Sequence, residues 1–216
     1  MKISYTVQVC NESRELFSLV NFLLKVKDVE DDVIVIVDSL HKTAKVQRVL
    51  DFFSGKITVH ERPFDNFLDN SNFHIEKATG DYIFGLDADE MPQEALIKGL
   101  KNALEESGAD ALWIPRINIH PGSTEAFIKE TRFHVNDKGW INWPDYQGRV
   151  YKKNEKIRWG IETIHTKLIG AEKTACVGEI PQLALWHIKS IEKQESRWSA
   201  GDIRGPSTEN LYDDLM

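Results

Sequence analysis

The run Val33-Ile34-Val35-Ile36-Val37 constrains this chain more than any other stretch. An unbroken series of β-branched residues leaves no polar face for water. It therefore reads as a strand covered on both sides, the situation of a parallel sheet clad in helices. The flanking sequence agrees. Residues 3–9 read as a strand, and Asn11-Glu12-Ser13 offers capping chemistry for a helix to about Val26, with Leu16, Leu19, Val20, Leu23 and Leu24 at helical spacing. The central run ends in Asp38-Ser39, and Val46, Val49, Leu50 and Phe53 then mark a second helix closed by Gly55. Residues 57–59 form a third short strand, residues 70–79 a helix stopped by Gly80, and residues 81–86 a fourth strand. Pro92 opens a helix that runs to about Glu106 and closes at Gly108, and residues 111–114 are a fifth strand. This alternation predicts an α/β fold with a mostly parallel sheet flanked by helices.

Beyond about Arg116 the texture changes to aromatics and short strands, as in Gly139-Trp140-Ile141-Asn142-Trp143-Pro144 and Arg149-Val150-Tyr151. Lys153-Asn154-Glu155-Lys156 reads as a turn, residues 191–198 as a helix, and residues 201–216 as a polar tail or linker, with room for further domains after Met216. A chain of 216 residues suits one domain, here over residues 1–200. The formal net charge of −7 argues against general nucleic-acid binding, so a bound phosphate would have to be neutralised locally or by a metal. Cys10 and Cys176 cannot build a disulfide framework or a four-ligand zinc site on their own, and read as unpaired core thiols of a reducing compartment. No apolar stretch approaches the ~20 residues that span a bilayer, and the first residues lead straight into a strand. A soluble, cytoplasmic protein with no transmembrane segment is expected.

The sharpest chemical signal is Asp87-x-Asp89 at the end of the fourth strand. In an extended chain these carboxylates share a side, and in an open α/β sheet the carboxyl ends of the strands are where ligands sit. Two carboxylates facing one spot repel unless a hard cation such as Mn²⁺ or Mg²⁺ lies between them, with open positions for diphosphate oxygens. Acidic residues in this place also serve as plain turn formers and caps. Asp38, which ends another strand of the same sheet, favours the site reading.

Asn11-Glu12, Val37-Asp38-Ser39 and the string Ala78-Thr79-Gly80-Asp81-Tyr82-Ile83-Phe84-Gly85-Leu86-Asp87-Ala88-Asp89-Glu90 resemble GT-A glycosyltransferases of the family 2 type. So do Trp143-Pro144-Asp145-Tyr146-Gln147-Gly148-Arg149-Val150-Tyr151 and the His-bearing segment 159–168, so that the resemblance spans roughly residues 3–198. More loosely, the chain looks like the sugar transferases with which large DNA viruses glycosylate their capsids, in which case it would work in host cytoplasm. The resemblance implies a GT-A, Rossmann-like fold with a nucleotide-binding half over about 1–116 and a less regular acceptor half over about 117–200. It implies metal-dependent transfer of a sugar, with inversion, from a UDP-sugar donor to a hydroxyl of a glycan or glycoprotein acceptor.

The same resemblance assigns roles. Glu12 and Asp38 would contact the uridine, Asp38 near the base; Asp87 would meet the ribose or the metal, and Asp89 would be the main ligand of Mn²⁺ or Mg²⁺. The family often carries Arg-Asn where this chain has Ser71-Asn72, so Asn72 would line the nucleotide site without the arginine. It often carries His-Glu where this chain has His165-Thr166. His165 or His187 would complete the metal or diphosphate site, or else pack as an ordinary histidine, and Lys189 would neutralise diphosphate charge. The catalytic base would be Asp145, in the Trp143-Pro144-Asp145 turn, or Glu162; either could instead be a capping or ion-pairing residue. Trp140, Trp143, Trp159 and Trp186 could stack on acceptor sugars or fill core. An aspartyl-phosphatase reading would need the paired carboxylates after the first strand, not the fourth. A non-catalytic nucleotide-sugar or glycan-binding module of the same fold is the remaining alternative.

Overall fold

The computed structural model describes residues 1–161 and 166–191. In chain order these give β1 (Ile3–Val9), α1 (Ser13–Val26), β2 (Asp32–Asp38), α2 (Ala44–Phe52), β3 (Thr58–Arg62), α3 (Phe67–Lys77), β4 (Tyr82–Asp87), β5 (Glu90–Pro92) and α4 (Glu94–Ser107). There follow β6 (Ala111–Ile119), α5 (Glu125–Thr131), β7 (Ile141–Lys152), β8 (Arg158–Ile161), β9 (Thr166–Ile169), β10 (Thr174–Cys176) and β11 (Leu185–Ile188). The main sheet runs β3-β2-β1-β4-β7-β6-β11-β5, with β10 also on β6, while β8 and β9 pair separately. The pairs β3–β2, β2–β1 and β1–β4 are parallel, and β7 lies antiparallel between β4 and β6. This is the mostly parallel α/β architecture of the GT-A fold.

The β-branched run sits in β2, and Val33, Ile34, Val35, Ile36 and Val37 are all buried. The alternate residues Val33, Val35 and Val37 join one core with Leu16, Leu19, Val20 and Leu23 of α1 and with Leu96, Leu100 and Leu104 of α4. Truncating any one of these leucines to alanine should cost about 2–5 kcal/mol. Gly108 takes the left-handed conformation (φ 56°) that closes α4. Gly80 marks a close approach: a Cβ there would stand 2.8 Å from Lys2 O, just before β1, and from Ser4 N within it.

Several expectations are corrected. Helix α3 begins at Phe67, earlier than expected, because the Asn66 side chain caps it by accepting from Asp69 N at 2.8 Å. Strand β3 reaches Arg62; it is the sheet's edge, so its outer residues Thr58, Val59 and Glu61 are exposed and the hydrophobic pattern gave out too soon. Pro92 does not open a helix. It ends β5, an edge strand where the missing N–H costs no ladder bond, and α4 starts after it at Glu94. Asp145 lies within β7, opposite Arg116, and not in a turn. Cys176 is exposed and Cys10 half-buried, so neither is a core thiol. Residues 192–200 and the tail lie outside the described residues. No helix among the described residues is long and apolar enough to cross a membrane.

Candidate functional site

The carboxyl ends of β1, β2 and β4 open onto one cleft of ≈ 700 Å³ of empty space. Its lining includes Gln8, Cys10, Glu12, Asp38, Phe64, Phe67, Asn70, Asp87 and Asp89. At one end stands Asp38, the last residue of β2. Its Oδ1 accepts from the amides of Leu40 (3.0 Å) and Phe64 (3.1 Å), and its Oδ2 lies 2.6 Å from His41 Nδ1. Burial works against the charge on Asp38, but these bonds hold its carboxyl below the usual carboxylate range. The rings of Phe64 and Phe67 meet edge-on at 5.2 Å beside it. Glu12 is buried and turns back on its own loop, its Oε2 accepting from Cys10 N (2.9 Å) and Asn11 N (3.0 Å).

At the other end β4 delivers Asp87, and the turn into β5 delivers Asp89. The two carboxylates line one cleft but have different partners. Asp87 bonds Arg149 Nη2 at 2.7 Å and takes a short hydrogen bond from Gln8 Nε2, whose own Oε1 accepts from Asn70 Nδ2 at 2.8 Å. Arg149 also donates to Glu90, a fully buried carboxylate that Arg116 Nη1 reaches at 3.0 Å. Burial opposes the Asp87 charge, yet Arg149 keeps its carboxyl below the ordinary range; at Glu90 burial prevails and the carboxyl is raised. Asp89 faces β11 instead. Its Oδ1 is 3.9 Å from His187 Nε2 and its Oδ2 is 3.6 Å from Lys189 Nζ, all three side chains being buried.

The strand order explains this meeting. β11 is antiparallel to β5, setting His187 opposite Glu90, and parallel to β6, setting His187 opposite Asn118. Asn118 Oδ1 lies 2.6 Å from His187 Nδ1, and Asn118 Nδ2 donates to Asp145 Oδ2 at 2.9 Å. With Nδ1 occupied, the buried Nε2 of His187 is left without a hydrogen-bond partner beside Asp89. Burial, together with Lys189 and Arg116, holds the imidazole well below its ordinary value, so it is neutral with a lone pair on Nε2. The Asp89 carboxylate suits Mn²⁺ or Mg²⁺, and the neutral imidazole nitrogen beside it is a common metal ligand, so the residues fit a divalent ion.

Asp145 is heavily engaged: Arg116 Nε (3.0 Å) and Nη2 (2.6 Å) and Asn118 bond its Oδ2, and Gln147 Nε2 (2.8 Å) its Oδ1. Burial resists its charge, but Arg116 and these bonds keep it ionised below the ordinary range. Trp140 packs edge-on to Trp143 (5.1 Å) and Trp186 (6.4 Å), while Trp159 stands apart against Tyr151.

Asn72 is not in the cleft lining. Its Oδ1 accepts from Trp159 N (2.9 Å) and its Nδ2 donates to Trp159 O (3.0 Å), tying α3 to β8, while Asn70 faces the cleft. Glu162 and His165 lie outside the described residues. Gln8, Asn70, Glu90, Arg116, Asn118 and Arg149 carry the site without having been singled out. Alternation along Asp145-Tyr146-Gln147-Gly148-Arg149 could have flagged Arg149, since strand period places it on the Asp145 face.

A family model described as glycosyl transferase family 2 matches residues 4–169. Among solved structures, S. aureus TarS residues 1–349 superposes with a TM-score of 0.61 at 17% identity, over 87% of this chain and 60% of that one. The same TarS fragment in complex with UDP-GlcNAc gives 0.59 at 18% identity, over 88% of this chain and 59% of that one. Its complex with UDP gives 0.58 at 16%, over 89% and 62%. The chain thus spans about three-fifths of the TarS fragment it resembles. No curated protein sequence matches it.

Proposed function

Because the chain belongs to glycosyl transferase family 2, and is a glycosyltransferase of the GT-A fold, we propose that it transfers a sugar from a UDP-linked donor to a hydroxyl group of a glycan or glycoprotein acceptor. The observation that carries this reading is the polarity of the cleft. One end pairs an acceptor carboxylate, Asp38, with the rings of Phe64 and Phe67, which suits a base bearing an imide N–H. The other end presents Asp89 with the buried His187 and Lys189 behind it, which suits a diphosphate held through a metal. The UDP and UDP-GlcNAc complexes of TarS support the choice of nucleotide.

Asp89 and His187 would hold the divalent ion, and such an ion, when bound, offsets negative charge on a diphosphate leaving group. Lys189 adds a fixed positive charge at the same end. Asp87, held by Arg149 and Gln8, presents a carboxylate to the ribose side of the cleft. On the acceptor side Asp145 takes the hydroxyl proton as the oxygen attacks the sugar carbon from the face opposite the diphosphate, which inverts that carbon. Arg116, Asn118 and Gln147 keep Asp145 ionised and aimed. The test is release of UDP from UDP-glucose, UDP-galactose and UDP-N-acetylglucosamine with Mn²⁺ present. Turnover of at least one supports the transferase. Binding of UDP with no turnover of any donor, with or without added glycans, would make the chain a binding module.

A further inference from the structure

The base end of the cleft carries a second group of potential metal donors, distinct from Asp89 and His187. Cys10 follows β1, Asp38 ends β2 and His41 lies in the turn after it. One donor atom of each falls within 4.8 Å of the other two. A tetrahedral ion with Zn–S of about 2.3 Å and Zn–N and Zn–O of about 2.0 Å spans donor pairs of roughly 3.3–3.6 Å, so only small movements separate this cluster from a coordination site. The 2.6 Å contact between Asp38 Oδ2 and His41 Nδ1 must widen, which asks for a small shift of a His41 side chain that is 36% exposed. Asp38 Oδ1 is fixed by the amides of Leu40 and Phe64, which aims Oδ2 as an outer shell aims a ligand.

We propose that Cys10, Asp38 and His41 form an inhibitory Zn²⁺ site that closes the nucleotide end of the cleft. Thiolate and imidazole together select zinc over the harder Mn²⁺ and Mg²⁺, which suit the carboxylates Asp87 and Asp89 at the opposite end. Three protein donors leave a fourth position for water. On binding, the Cys10 thiol loses its proton to solvent, His41 coordinates through a neutral ring nitrogen, and Asp38 stays anionic. The competition with nucleotide rests on the proposed function, since Asp38 cannot serve a base and a zinc ion at once.

The test is titration of the reduced full chain with Zn²⁺ by calorimetry, and with Co²⁺ as a spectroscopic probe. The wild type is compared with Cys10→Ser, His41→Ala and Cys176→Ser, each checked for folding by circular dichroism. The expected result is one zinc per chain, affinity lowered at least tenfold in Cys10→Ser and His41→Ala but not in Cys176→Ser, and a thiolate-to-cobalt charge-transfer band that vanishes only in Cys10→Ser. UDP should raise the apparent zinc dissociation constant at least tenfold. Zinc affinity unchanged in folded Cys10→Ser, or a cobalt band lost in Cys176→Ser, overturns the site. Zinc binding at Cys10 that UDP leaves unchanged, when UDP itself binds, overturns the inhibition. UDP failing to bind zinc-free protein counts against the transferase reading and leaves the zinc site supported.

Discussion

His187 Nε2, on β11, and Asp89 Oδ1, in the turn between β4 and β5, face each other at 3.9 Å, both side chains buried. Asn118 fixes the imidazole from behind, so its lone pair is aimed and not merely present. His187→Gln should therefore lower Mn²⁺ affinity by at least the roughly 10–100-fold that loss of an outer-shell partner costs, while the fold survives. Mn²⁺ paramagnetic resonance titration with UDP present checks this, and unchanged affinity would remove His187 from the metal site.

Asp145→Asn should reduce kcat by about 10²–10⁴-fold with little change in donor KM, the signature of a lost general base. Steady-state kinetics at saturating donor and acceptor measure it. A change confined to KM would instead make Asp145 a scaffold for Arg116.

Asn72→Ala should destabilise the chain by about 1–3 kcal/mol, because the backbone N–H and C=O of Trp159 lose their partner together. UDP affinity should stay within about twofold. Urea denaturation and calorimetry separate the two effects, and a large loss of UDP affinity at constant stability would return Asn72 to the nucleotide site.

Burial lowers His74 and His120 from the ordinary 6.5 to about 4. Between those values the unfolded chain binds protons that the folded chain refuses, so stability is full above 6.5 and falls as pH drops toward 4. Each histidine contributes a slope of up to about 1.4 kcal/mol per pH unit. His74→Gln should remove one such increment, read from urea unfolding at stepped pH; an unchanged slope would contradict the assignment.

What the sequence revealed follows the range of its signals. The β2 run and the α1 and α4 stripes are local patterns, so the parallel half was legible. That Asp87, Asp89 and Asp38 would meet at one cleft was legible because the carboxyl ends of parallel strands converge there. Arg149, Arg116 and Asn118 were not, because each acts through a strand distant in sequence. β7 inserts antiparallel between β4 and β6, and only that insertion brings Arg149 to Asp87 and Arg116 to Asp145. Asn72 and Asn70 show the limit of a motif: two residues on one helix face opposite ways, and the resemblance pointed to Asn72, which holds Trp159, while Asn70 faces the cleft.

The most direct measurement of the central claim is calorimetric titration of UDP into the wild type and Asp89→Asn, each with and without Mn²⁺. The account predicts that Mn²⁺ strengthens UDP binding at least tenfold in the wild type and that Asp89→Asn abolishes this gain. UDP binding that ignores both the ion and Asp89, or no binding in folded wild type with Mn²⁺ present, would contradict it.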